Sequence, residues 1–254
     1  MWCARFATYG AAPGCASHCG TSELKRLTDV DSSALAGVAA VGRQFGKPTW
    51  GSEICCFTGI DAGYGAQYDP TITGGLAMAS IIHRDLAVAN DSAFHWWTAL
   101  SKVLGCSPGS DAGCATRVNG TGYNDGLVYY DPGYASNGNQ SLYLTKRYWA
   151  MAQYSRYVRP GAVRYPVTGA PSGVQILAAS GGGDWTLVVN NLTDGAQAVD
   201  VAFNARNDLT PTAAYRTSAT EDAAAVATPP VSGATASRPT RRPGSRSSGR
   251  RPSR

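Results

Sequence analysis

The sequence predicts a chain of two organisations, α/β up to about residue 160 and all-β beyond it. Three observations lead there. Apolar residues recur at three- and four-residue steps over 23–46 (Leu24, Leu27, Val30, Leu35, Val38, Val41), and Leu76, Ala79, Ile82 and Leu86 share a face over 73–90. Each helical stretch is followed by a short apolar run, 49–57 and 92–100. Alternation of helix and buried strand is the pattern of a parallel α/β arrangement. After Arg159-Pro160-Gly161 the period shortens: 163–167, 175–179, 185–190 and 198–203 read as short strands between turn residues, as in an antiparallel sheet.

Taken in order, residues 1–22 read as irregular, with room for a short strand at 5–9. The helix over 23–46 stops at Gly46-Lys47-Pro48, because proline cannot continue it. Residues 105–140 read as a long loop rich in Gly, Asn and Tyr that contains Tyr123-Asn124-Asp125-Gly126-Leu127, and a third helix is expected over 142–157. The expected units are therefore 1–160, 161–216 and a tail at 217–254. The tail is rich in Ala, Thr, Ser, Pro and Arg, with too little apolar surface to offset the entropy of ordering.

Composition narrows the function classes. Only 15% of the residues are charged, while Gly (30), Tyr (13) and Trp (6) are plentiful, a balance common among extracellular carbohydrate-active proteins. The net charge of +5 misleads: seven arginines fall within 231–254, and without them the charge is −2. A basic nucleic-acid footprint over the body is thus not supported. No stretch is long and apolar enough to span a membrane, and the first residues lack the apolar run of a signal peptide. A secreted-looking body without an export signal carries the expectation that the natural start lies upstream.

There are seven cysteines. Cys106 and Cys114 bracket GCSPGSDAGC, whose small, turn-forming residues suit a disulfide and with it an oxidising compartment. Cys55 and Cys56 are adjacent and are not expected to pair with each other. Cys3, Cys15, His18 and Cys19 are ligand types, but their spacing matches no standard zinc finger, and neither metal nor cofactor is expected.

The chemistry centres on Trp50-Gly51-Ser52-Glu53, which puts a carboxylate near the end of a buried strand, where α/β barrels carry catalytic groups. The alternative is a glutamate that caps or pairs in a loop. Further candidates are Trp96 and Trp97 on the next strand, of which alternation lets only one face inward, with Trp96 preferred; the alternative is that both are core residues. Asn124 and Asp125 are polar candidates in the loop; a turn role for Asn-Asp-Gly is the alternative. His95 reads as a packed or edge histidine, Cys55 as a small buried residue that could line the pocket, and 154–161 as a structural junction.

The runs TWGSEICC, QYDPTITGGLAMASIIHRDL, DSAFHWWTALSK, GYNDGLVYYDP and KRYWAMAQYSRYVRPGAVRYPV together resemble family 30 glycoside hydrolases, in particular the endo-β-1,6-galactanase-like branch, over roughly residues 45–205. The resemblance implies the C-terminal portion of a (β/α)8 TIM barrel followed by an antiparallel β-sandwich side domain. It implies a retaining glycosidase that acts on β-linked polysaccharide outside the cell, with Glu53 as nucleophile, the aromatics of the following strand walling the sugar subsite, and Asn124 and Asp125 able to bind sugar hydroxyls from the loop. The family's acid/base glutamate lies in an Asn-Glu motif far upstream. This chain has three glutamates, Glu23, Glu53 and Glu221, and neither Glu23 nor Glu221 follows Asn. The expectation is a truncated form without its acid/base, or a non-catalytic, carbohydrate-binding remnant. Expected partners are a polysaccharide substrate, and neither nucleic acid nor a membrane.

Overall fold

A computed structural model describes residues 32–57, 67–203 and 209–230, excepting the side chains of 32–35 and 53. The candidate ligands Cys3, Cys15, His18 and Cys19, the strand at 5–9, Glu23 and the arginine-rich end lie outside the described residues.

Helix α1 (Ser32–Gln44) leads into β1 (Trp50–Ile54). Helix α2 (Ile72–His83) begins at Thr71, whose hydroxyl accepts from the Thr73 amide, and runs on through a π-helical turn at Arg84–Val88. Strand β2 (Ala93–Trp96) then returns beside β1 in parallel, with Trp50 opposite Ala93, Gly51 opposite Phe94 and Ile54 opposite Trp96. This is one β-α-β unit, as the helix–strand alternation predicted. Gly51 is required by packing: a Cβ there would collide with the Asp85 carboxylate on the π-helical turn.

The 105–140 stretch holds more order than its composition announces. β3 (Leu100–Ser101), β4 (Val128–Tyr130) and β5 (Leu142–Leu144) form a three-stranded mixed sheet. Between them lie a 3₁₀ turn (Cys114–Thr116) and a single-turn helix α3 (Tyr134–Asn137). Beneath the sheet Tyr68, Leu104, Cys114, Ala115 and Tyr129 form a compact core. The helix expected over 142–157 is shorter, because 142–144 are taken by β5 and Thr145 caps α4 (Lys146–Ser155) by accepting from the Tyr148 amide.

The β part is an antiparallel sheet of β6 (Val163–Tyr165), β7 (Val174–Gly181) and β8 (Asp184–Asn191). Its inner face closes on the helices. Met78, Ala79 and Ile82 of α2, Ala150 and Tyr154 of α4, and Leu177, Ala179 and Val188 of the sheet form the main hydrophobic core. A polar strand of bonds runs through it: the Asn190 amide donates to Tyr154 Oη (2.8 Å), which donates to the Ala79 carbonyl (3.1 Å). Residues 198–203 form no strand, and the described residues contain neither a closed barrel nor a two-sheet sandwich.

Order also extends past residue 217, contrary to expectation. β9 (Ala214–Arg216) and β10 (Ala224–Val226) make an antiparallel hairpin. Polar contacts stabilise it where apolar ones are scarce. Arg216 meets Glu221 through two nitrogens (2.6 and 2.7 Å), Lys146 Nζ donates to Asp222 (2.6 Å), and Gln153 donates to Thr217 (2.9 Å). These ties order the hairpin despite its scarcity of apolar surface.

Candidate functional site

The sequence candidates meet at the C-terminal end of the β1–β2 pair. Glu53 is the fourth of the five residues of β1. Beyond it Trp97 N donates to the Ile54 carbonyl (3.0 Å), which carries the parallel ladder to the end of both strands. The loop 123–127 is tied across this end. Asn124 Nδ2 donates to the Phe57 carbonyl (2.8 Å), while Trp96 Nε1 and Thr98 N donate to the Asp125 carbonyl (2.7 and 2.5 Å). Glu53, Trp96, Trp97, Asn124 and Asp125 thus belong to elements that converge on one edge of a small parallel sheet.

Their individual settings match the sequence reading only in part. Trp96, preferred there as the inward-facing ring, is half-buried: it packs on the main core and tilts against Phe57 (centroids 6.3 Å apart). Trp97 is the more open of the two, 38% exposed, and its peptide bond to Thr98 is cis. Asn124 is fully buried. Its carbonyl accepts from Asp69 N (2.7 Å) and Arg147 Nη1 (2.9 Å), so it acts as an internal tie. The Asp125 carboxylate accepts from Ser101 Oγ (2.9 Å) and Tyr129 Oη (3.3 Å). His95 stands exposed on the other face of β2 with its ring edge-on to Trp50 (5.7 Å).

Sequence reasoning passed over Arg147. It is 1% exposed and reaches the carbonyls of Asp69 and Gly126, Asn124 Oδ1 and Tyr129 Oη, with its guanidinium 5.9 Å from the Tyr129 ring centre. One buried cation therefore fixes the start of α2 and the 124–126 loop together. Its position at the first turn of a helix gave no hint of this, because the partners are carbonyls scattered along the chain.

Both cysteine pairs beside this region are bonded. Cys106 is joined to Cys114, closing the loop. Cys55 is joined to its neighbour Cys56, against the expectation that adjacent cysteines stay apart; Cys56 takes up positive φ (77°), and both are buried. The two-residue ring sits directly after β1, so it shapes the exit of the Glu53 strand. Cys55 is part of this ring rather than a free thiol lining a pocket.

The opposite end of the pair carries the main electrostatic feature. Asp85, on the π-helical turn against Gly51, is 6% exposed, and its Oδ2 has no hydrogen-bond partner among the described residues. Burial first, then the neighbouring Asp91 charge, push it up to about 7, against a smaller opposing pull from Arg84. Burial likewise raises Asp91, with the Thr49 hydroxyl holding it back in part. Among the described residues no cluster of three or more His, Cys, Asp or Glu could hold a metal, and no helix is long and apolar enough to cross a membrane.

Residues 15–104 match the family model for O-glycosyl hydrolase family 30. The chain is also similar to a solved structure, the catalytic domain of GH30 xylanase C from Talaromyces cellulolyticus, at 22% identity and a TM-score of 0.38 over 56% of this chain. It spans about a quarter of that protein's length, 27%. The matched stretch contains α1, β1, α2 and β2, and therefore Glu53, Trp96 and Trp97. Over the segment that carries this candidate site, the chain is similar to O-glycosyl hydrolase family 30.

Proposed function

We propose that this chain carries the nucleophile side of a retaining glycoside hydrolase of family 30 that acts on β-linked polysaccharide, of the endo-β-1,6-galactanase-like kind. One observation carries the proposal: β1 and β2 run parallel, with Glu53 near the end of one and Trp96-Trp97 at the end of the other, inside the stretch that matches the family. Barrel glycosidases use that strand end for chemistry. In this reading the Glu53 carboxylate attacks the anomeric carbon and forms a glycosyl ester, which water then hydrolyses. An exposed indole such as Trp97 offers its face to the C–H side of the sugar, and the Asn124-Asp125 loop holds the strand ends in register. The two disulfides favour an extracellular place of action.

A retaining reaction needs a second carboxyl group about 5–5.5 Å away to protonate the leaving oxygen. Glu221 is engaged with Arg216 and Ser218 in the β9–β10 hairpin, and these bonds with the Arg216 charge hold it low, at about 2, where it cannot act as an acid near neutrality. That observation favours, for these 254 residues alone, the second reading of a non-catalytic or sugar-binding unit. The deciding experiment joins the chain to an upstream family 30 segment that supplies an Asn-Glu motif. Hydrolysis of β-1,6-galactan by that protein, and its loss in Glu53→Gln, would support the proposal; unchanged turnover in Glu53→Gln would overturn it.

A further inference from the structure

Away from the strand ends of β1 and β2, the sheet β3–β4–β5 presents two unlike faces. Its inner face is occupied by Tyr129 and Tyr143 over the small core. Its outer face is apolar and open: the register sets Leu100 beside Val128, and Val128 and Tyr130 beside Leu144 and Leu142. At the edge of this face a groove of about 340 Å³ is lined by Leu100, Tyr130, Tyr134, Asn139 and Gln140. The two tyrosine rings meet edge to face with centroids 5.8 Å apart, and Tyr134 is 48% exposed.

The polar groups of this lining divide into two sets. Asn139 is spent internally, donating to Asp131 Oδ2 (3.0 Å) and Tyr143 Oη (2.8 Å). Asp131 anchors the wall further by accepting from Ser107 Oγ, Gly109 N and Gly133 N (2.7, 2.6 and 2.8 Å). The Tyr130 and Tyr134 hydroxyls and the Gln140 carboxamide, by contrast, make no hydrogen bond among the described residues. No charged side chain lines the groove.

We propose that this groove is a binding subsite for a neutral pyranose unit of a glycan, separate from the Glu53 end of the β1–β2 pair. A pyranose has an apolar C–H face and a rim of hydroxyls that both donate and accept. The tyrosine rings and Leu100 cover the face, and two phenols and a carboxamide answer the rim. The absence of charge argues against a phosphorylated or carboxylated ligand, which would leave an unpaired anion at the wall. The wall is already fixed by Asp131, so little ordering entropy opposes binding. Leu100 lies three residues beyond Trp97 on the segment that leaves β2. The choice of a sugar over other neutral ligands rests on the glycosidase reading given above.

The test is a titration of the 254-residue chain with β-1,6-linked galactotetraose and with β-1,4-linked xylotetraose, followed by Trp and Tyr fluorescence. Saturable binding of either sugar is expected, weakened about tenfold in Tyr134→Ala, weakened also in Gln140→Ala, and unchanged in Phe45→Ala, an exposed position away from the groove and the strand ends. Tyr134 lies outside both hydrophobic cores, so circular dichroism should match the parent; Gln140→Ala serves should it not. Equal affinity in the parent and both groove variants, or no saturation by either sugar at about 10 mM, would overturn the proposal. Because the readout is the effect of the groove variants on binding, and hydrolysis by the joined enzyme is measured separately, failure of the groove leaves the catalytic reading standing. Conversely, a joined enzyme that survives Glu53→Gln would sink the catalytic reading and leave the groove.

Discussion

Glu53 and Asn124 show how differently a residue type and its surroundings constrain function. A strand-end carboxylate inside Trp50-Gly51-Ser52-Glu53 is recognisable from the chain alone, since few roles call for an acid in an apolar run. In a joined enzyme Glu53→Gln should lower hydrolysis to background, because a carboxamide of nearly equal size cannot form the glycosyl ester; product release from β-1,6-galactan measures it. Asn124 could equally have been a turn residue or a ligand. The fold makes it a buried tie whose loss strands the Asp69 amide and the Phe57 carbonyl. Asn124→Ala should therefore cost about 2–4 kcal/mol, read from urea unfolding.

At the scale of elements, the parallel β-α-β unit followed from periodicity, while the small pieces did not. β3, β4 and β5 are two or three residues long, too short for any period to register, and they exist because the loop is tied down elsewhere. One tie is the Cys106–Cys114 bond. Replacing both with serine should cost about 2–3 kcal/mol by freeing the loop in the unfolded chain, and peptide mapping of unreduced material should recover the link, with a second one between Cys55 and Cys56. The π-helical turn against β1 has its own signature. Asp85 is raised in the folded state to about 7, so the folded protein binds its proton more tightly than the unfolded chain. Stability is then fully present below the unfolded carboxylate range and declines as pH rises from about 4 to 7. Melting scans at pH 5 and 8 should show the decline, on the order of 1–3 kcal/mol, and Asp85→Asn should flatten it.

Over the whole molecule the balance of surfaces is unusual. Trp50, Trp97, Leu100, Leu142 and Leu144 are each more than a third exposed, and among the described residues β1 and β2 pair only with each other. Parallel sheets are ordinarily covered and longer, and unpaired edges invite association. The 254-residue chain should therefore elute from size exclusion as concentration-dependent oligomers, and co-expression with an upstream family 30 segment should suppress this. A sharp monomer peak at high concentration would contradict it.

The sequence by itself determined the α/β-then-β order, the Glu53 strand, the two tryptophans and the Cys106–Cys114 pairing as candidates. Each rests on neighbours within a few positions, where periodicity, turn chemistry and motif spacing act. Only the tertiary structure decided that Arg147 joins Asp69 to Gly126, that Trp97 is the open ring, and that Lys146 and Gln153 order the hairpin beyond 217. It alone decided that three unbonded polar groups meet at one groove. For Arg147, Lys146 and Gln153 the physical reason is the same: the partners are tens of residues apart, and hydrogen bonds between such groups leave no mark on local composition.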